Sequence, residues 1–130
     1  MSIFKAILGI CDTKPLSGNL WSLEENKVRV KLNQMPEPLV KGDAVYLKGA
    51  GLSKPILLVG TGDEQYLAFE NRCPHAGRKI DPIPGKEKLR CCSIGHSEFD
   101  LEGNVIKGSA KGKLKKYAVE KSDGDLIIKL

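Results

Sequence analysis

The side chains able to do chemistry are few in this sequence, and most of them lie close together. Four cysteines (Cys11, Cys73, Cys91 and Cys92) and two histidines (His75 and His96) are present. Two short motifs hold most of them: Cys73-Pro74-His75 and Cys92-Ser93-Ile94-Gly95-His96, with sixteen residues between His75 and Cys92. Each motif offers one thiolate and one imidazole. A structural zinc site usually draws its paired ligands from a knuckle with two to four residues between them. One residue between Cys73 and His75 makes it hard for both to reach a single ion. The same spacing suits a pair of metals, because neighbouring ligands then serve different ions and neither loop has to fold back sharply. Two such loops would give one metal two sulfurs and the other two nitrogens. A mononuclear zinc site built from the same four residues is the alternative use.

The rest of the composition narrows the class. A chain of 130 residues suits one domain, and 41% hydrophobic content is too high for disorder. No apolar run approaches the roughly 18 residues of a membrane helix. The stretch Ile3 to Ile10 is interrupted by Lys5 and does not read as a secretory signal. The expectation is a soluble, cytoplasmic protein without a membrane span. Four cysteines in such a compartment argue against a disulfide scaffold and for metal ligation. The net charge is +5, from 21 Lys and Arg against 16 Asp and Glu. With only seven aromatic residues to stack on bases, this favours a solvated basic surface, or a docking face for an acidic protein, over nucleic-acid binding.

The elements that position the two motifs read as short strands. Ile3, Phe4, Ile7 and Leu8 fall on one helical face, so the segment 1–26 is expected to include a short helix before the domain at 27–130. From Val28 the period changes to two: Val28, Val30 and Leu32 alternate with polar residues. Further strands are expected at 44–48, 55–59, 65–70, 88–92, 99–101, 105–107, 117–121 and 126–130. Turns such as Glu102-Gly103-Asn104 and Ser122-Asp123-Gly124-Asp125 separate them. Many short strands joined by Gly, Asp and Asn turns indicate an all-β sandwich or partly open barrel. The stretch 76–88, with Pro82, Pro84 and two glycines, reads as a loop. Both Cys/His motifs therefore sit on loops at strand ends.

From about Val28 to Leu130 the sequence resembles a Rieske [2Fe-2S] iron-sulfur domain. Cys73-Pro74-His75-Ala76-Gly77 matches the family's first motif, and Phe99-Asp100-Leu101-Glu102-Gly103-Asn104-Val105 matches the tail of its second. Tyr66 to Arg72 resembles the strand leading into the first motif. Gly108, Ala110, Leu114 and Tyr117 resemble the closing loop and the strand after it. One departure stands out. Three residues separate Cys92 from His96 where the family has two, so Gly95 falls at the family's histidine position and His96 one residue later. Gly95 would supply the bent backbone that the extra residue needs.

The resemblance implies a Rieske-like antiparallel β-sandwich or partly open barrel with the cluster loops at one end. It implies a 2Fe-2S cluster of Rieske type, with Cys73 and Cys92 on one iron and His75 and His96 on the other. The histidine iron would take up the electron, with reduction coupled to proton uptake at the imidazoles. The implied function is electron transfer, as a soluble ferredoxin component or an oxidoreductase small subunit rather than an enzyme by itself. The partner would be a redox protein, either a reductase or a terminal oxygenase or other oxidoreductase. The alternatives are a Rieske-like binding subunit that has lost its cluster and a structural zinc domain. Cys91 reads as a packed core thiol, Cys11 as inert and Trp21 as packing.

Quinol-oxidising relatives carry two further cysteines at the positions of Arg78 and Ile94, so their inter-loop disulfide is absent here. Those relatives also use a serine and a tyrosine to donate hydrogen bonds to the cluster. Ser97 stands for the first, whereas Phe99 has no hydroxyl to act as the second. Fewer donors stabilise the reduced cluster less, so a redox titration should place the midpoint in the low to middle part of roughly −150 to +300 mV. A midpoint at the top of that range would contradict this reading.

Overall fold

The computed structural model describes residues 14–35, 39, 42–49, 51–62, 65–71, 80–82, 88–91, 97–107 and 113–130. Twelve strands run through them: β1 (Lys14–Pro15), β2 (Trp21–Glu24), β3 (Lys27–Val30), β4 (Ala44–Leu47), β5 (Ile56–Gly62), β6 (Gln65–Glu70), β7 (Ile80–Pro82), β8 (Lys88–Cys91), β9 (Glu98–Asp100), β10 (Val105–Lys107), β11 (Lys116–Ser122) and β12 (Asp125–Lys129). They form two sheets. The larger has the order β1-β4-β5-β6-β11-β12-β3-β2, and the smaller has the order β10-β9-β8-β7. Among the described residues, only β1 and β4 pair in parallel. The expected all-β, partly open barrel is what the chain adopts.

The larger sheet curls, and the packing shows why. Its two edge strands, β1 and β2, are joined by residues 16–20 alone. Trp21, Val28 and Val30 at one end of the strand order share a core with Leu47, Ile56 and Leu58 at the other. Along β3 the alternation anticipated from the sequence is realised, with Lys27 and Arg29 exposed and Val28 and Val30 buried. The β2–β3 and β11–β12 hairpins turn through residues at positive φ: Glu25 and Asn26 in one, Asp123 and Gly124 in the other. Two consecutive positive φ values match the right-handed twist of the paired strands.

β5 is buried on both faces. Ile56 and Leu58 point into the barrel core, whereas Leu57 and Val59 join a second core with Phe69, Ile80, Leu89, Cys91, Phe99 and Leu114. Such a strand has no polar face, which accounts for its unbroken run of apolar residues. β6 divides its side chains in the same way, Ala68 to the barrel and Phe69 to the second core. The smaller sheet is thus carried on the outside of the barrel by two shared strands.

One part of the sequence reading changes. The stretch 76–88 is not loop throughout, because Ile80–Pro82 forms β7 and pairs with β8. Three residues ending in proline give no usable periodicity, and this edge strand is defined by its partner. The larger sheet also takes in residues of the segment before 27, through β1 and β2. The helix expected within residues 3–10 lies outside the described residues.

Phe99 is fully buried at the centre of the second core. Phe99→Ala should lower unfolding free energy by about 3–5 kcal/mol. Urea unfolding followed by circular dichroism measures this, and a loss under about 1 kcal/mol would contradict the packing described.

Candidate metal centre

The two motifs fall between strands whose ends lie close to one another. The first loop, residues 72–79, spans the gap between β6 and β7 and contains Cys73 and His75. The second, residues 92–96, spans the gap between β8 and β9 and contains Cys92 and His96. All four candidate ligands, together with Cys11, Arg78, Ile94 and Gly95, lie outside the described residues. The structure therefore fixes where each loop begins and ends.

Those ends are tied together. Asn71, at the start of the first loop, is 3% exposed. Its backbone N–H donates to the Pro55 carbonyl at 2.8 Å. Its side-chain Oδ1 accepts from the backbone N–H of Ile80 at 2.7 Å, across the whole first loop. Ile80 in turn lies opposite Cys91 in the β7–β8 ladder. The Cys91 N–H donates to the Ser97 carbonyl at 2.8 Å, which closes the second loop. The four feet, Asn71, Ile80, Cys91 and Ser97, thus form one continuous hydrogen-bonded and paired set. Directly opposed residues in an antiparallel pair are about 4.5–5.5 Å apart. The residues that flank the two motifs therefore meet at one end of the small sheet.

The feet are dry. Ile80 is fully buried, Cys91 is 1% exposed and Ser97 3%. Cys91 packs in the second core with Leu89 and Phe99, the place the sequence reading gave it. Its thiol is free. Trp21 likewise packs in the barrel core.

A second device holds the β9–β10 hairpin. The Asp100 carboxylate accepts from the backbone N–H groups of Glu102 and Asn104, each at 2.9 Å, and from the Asn104 side-chain amide at 3.1 Å. The Asn104 backbone bond is the largest cause holding the Asp100 carboxyl below its ordinary range; the Asn104 side chain adds to it. A group with a depressed folded-state pKa contributes stability above its unfolded pKa and loses it as pH falls through the folded value. Gly103 sits between these groups at φ +89, and a Cβ there would meet the Leu114 carbonyl oxygen at 2.7 Å. That explains the Phe-Asp and glycine pattern physically. The aspartate caps the turn, the glycine lets residue 114 pass, and the phenylalanine fills the core below. Behind the first loop, Tyr117 has its phenol pKa raised by burial first and by the Glu70 charge second.

Asn71 and the capping role of Asp100 were not apparent from spacing. The available signal for Asn71 is a lone amide closing an apolar strand immediately before a ligand motif. Asp100 stood inside a quoted motif, but its partners are backbone groups that no pattern of residue types reveals. Among the described residues, no three Cys, His, Asp or Glu side chains gather as a metal site.

Two variants test the frame. Asn71→Ala leaves the buried Ile80 N–H without its acceptor and should cost about 1–3 kcal/mol, with less metal retained per chain. Asn71→Asp retains an acceptor and should recover most of the loss; equal behaviour of the two would refute the clamp. Gly103→Ala should cost about 2–4 kcal/mol from backbone strain and the contact with Leu114. Thermal unfolding within a degree or two of the parent protein would refute that assignment.

Comparison with known proteins agrees with this frame. Residues 25–118 match the family model described as the Rieske [2Fe-2S] domain. No curated protein sequence matches the chain. Among solved structures it is similar to the cyanobacterial plasma membrane Rieske protein PetC3 from Synechocystis PCC 6803, at 29% identity and a TM-score of 0.55, over 65% of this chain and 86% of that one. Its fold is similar to that of the ferredoxin of carbazole 1,9a-dioxygenase from Nocardioides aromaticivorans IC177, at 17% identity and a TM-score of 0.62, over 81% and 98% of the two chains. It is also similar in fold to the quaternary ammonium Rieske monooxygenase CntA, at 22% identity and a TM-score of 0.52, where 68% of this chain covers 28% of that one. With more than half of its length matched by the family model, this chain belongs to the Rieske [2Fe-2S] domain family.

Proposed function

We propose that this protein is an electron carrier, a ferredoxin component or small subunit of an oxidoreductase system, whose cluster is held by Cys73, His75, Cys92 and His96. The observation that carries the reading is the Asn71–Ile80–Cys91–Ser97 set, which roots both motif loops at one end of the small sheet. The donor chemistry fits the group. Two thiolates and two imidazoles are what a Rieske centre takes, and each loop holds one of each. When bound, the cluster supplies one-electron oxidation and reduction.

The chain's own part is to hold and to enclose. Cys73 and Cys92 would bind as thiolates on one iron, and His75 and His96 as imidazoles on the other. Gly95, the one residue between Cys92 and His96 without a Cβ, would be the place for the backbone to take up the extra residue. Phe99, Leu89 and Ile80 keep water from the base of the loops. Phe99 has no hydroxyl that could donate a hydrogen bond to a bound cluster. The partner is a redox protein, a reductase or a terminal oxygenase. The ferredoxin and oxygenase structures of similar fold support that class. No helix among the described residues is long and apolar enough to cross a membrane. We place the protein in the cytoplasm on the sequence argument alone, a reducing compartment in which ligand thiols stay available.

Electron paramagnetic resonance of the dithionite-reduced protein tests this together with iron and acid-labile sulfide analysis. The expected result is a spectrum of low average g-value, characteristic of mixed sulfur and nitrogen ligation, with two irons and two sulfides per chain. His96→Ala should abolish that spectrum while the β-sheet circular dichroism persists. Zinc at one equivalent without sulfide, a colourless iron-free protein, or an unchanged spectrum in His96→Ala would each overturn the assignment.

A further inference from the structure

Charge is not evenly distributed along this chain. Residues 72–116, which include both motif loops and the whole small sheet, hold eleven Lys and Arg against five Asp and Glu, a net +6. The whole chain carries +5, so the remaining residues, mostly barrel, sum to −1. The entire basic excess belongs to the segment that carries the cluster motifs.

The structure also accounts for most of the acids in that segment. Asp81 is 2% exposed, opposite Arg90 in the ladder. Glu98 lies between Arg90 and Lys107, with the Lys107 Nζ at 3.9 Å. The Asp100 carboxylate is occupied by backbone N–H groups of its own turn. Glu102 faces the Lys116 Nζ at 3.3 Å. Four of the five acids are thus buried or engaged locally. The lysines remain outward. Lys107 has 76% of its side chain exposed, and Lys113 and Lys115 are exposed as well. Two of these flank the loop feet. Lys107 pairs with Glu98, the residue after Ser97. The Lys115 carbonyl accepts from the N–H of Glu70, the residue before Asn71. Ile106, 46% exposed, adds an apolar contact beside Lys107.

We infer that this lysine-rimmed end of the small sheet is the docking surface for an acidic redox protein. The inference rests on the electron-carrier reading above. An acidic patch on the partner would be steered to the end from which an electron leaves, where local charge raises association rates about 10–10³-fold at low salt. Charge elsewhere contributes little. β3 lies three ladder steps from β6, roughly 14 Å, which exceeds the Debye length of about 8 Å at physiological ionic strength. Nucleic acid is the competing reader of basic surfaces. It is disfavoured by the absence of any aromatic residue between Phe99 and Tyr117 on which bases could stack.

The test uses the cluster-loaded full chain and begins by recording its paramagnetic spectrum. A chain without the expected signal fails the electron-carrier reading rather than this one. Reoxidation of the reduced protein is then followed by stopped flow with anionic ferricyanide and with the cation tris(bipyridine)cobalt(III). As salt rises from about 20 to about 300 mM, the ferricyanide rate should fall and the cobalt rate should rise. Lys107→Glu with Lys115→Glu should slow ferricyanide by about fivefold or more at low salt, and the paired Gln variants by less. Lys27→Glu with Lys31→Glu makes the same change in net charge on and just after β3, and should stay within about twofold of the parent. Poly-L-glutamate should inhibit the parent's ferricyanide reaction and lose that effect in the Lys107/Lys115 variant. Equal slowing by both pairs, no slowing by either, or tighter binding to a DNA duplex than to poly-L-glutamate at about 150 mM salt would overturn the inference.

Discussion

One ladder step bears the rest of the site: the pairing of Ile80 with Cys91. It brings the end of one motif loop beside the start of the other. Asn71 extends it across the first loop with a side-chain bond, and Ser97 extends it across the second with a backbone bond. Without that step the two Cys/His pairs would be separate features on separate turns. With it, the residues that flank the two motifs are held side by side. The elements around it serve to keep this step dry and in register, through Phe99 and Leu89 below and the Asp100 turn beyond.

The second core is small, and it depends on the barrel. Leu57, Val59 and Phe69 are contributed by strands whose alternate side chains fill the barrel. A four-stranded sheet of three- and four-residue strands buries too little apolar surface to stand alone. Resting it on β5 and β6 solves that, and it leaves the loop-bearing end free of structural duties. The basic excess in the same segment fits this division, since the barrel has no cause to concentrate positive charge.

How much of this could be read from the residues depends on how local the cause was. The alternation at Val28 and Val30, the Asp-Gly turn at 123–124 and the apolar run at 56–59 are local, and each strand stands where the pattern placed it. The motif pairs were legible because so few cysteines and histidines are present to confuse them. β7 was not legible: three residues ending in proline carry no periodicity, and its partner is nine positions away. The amide of Asn71 was not legible either, because its acceptor role exists only once β6 and β7 are neighbours. Cys92 and His96 could be singled out by type, but their three-residue gap departs from the family pattern, and residue types alone do not decide how a backbone absorbs one extra link.

The double burial of β5 has a consequence for anyone treating the loop-bearing sheet as a transferable module. Cutting the chain so as to graft that sheet onto another scaffold would strip Leu57 and Val59 from beneath it and expose Ile56 and Leu58 on the piece left behind. The two lobes share a party wall, so neither can be lifted away, swapped or inherited without rebuilding the other.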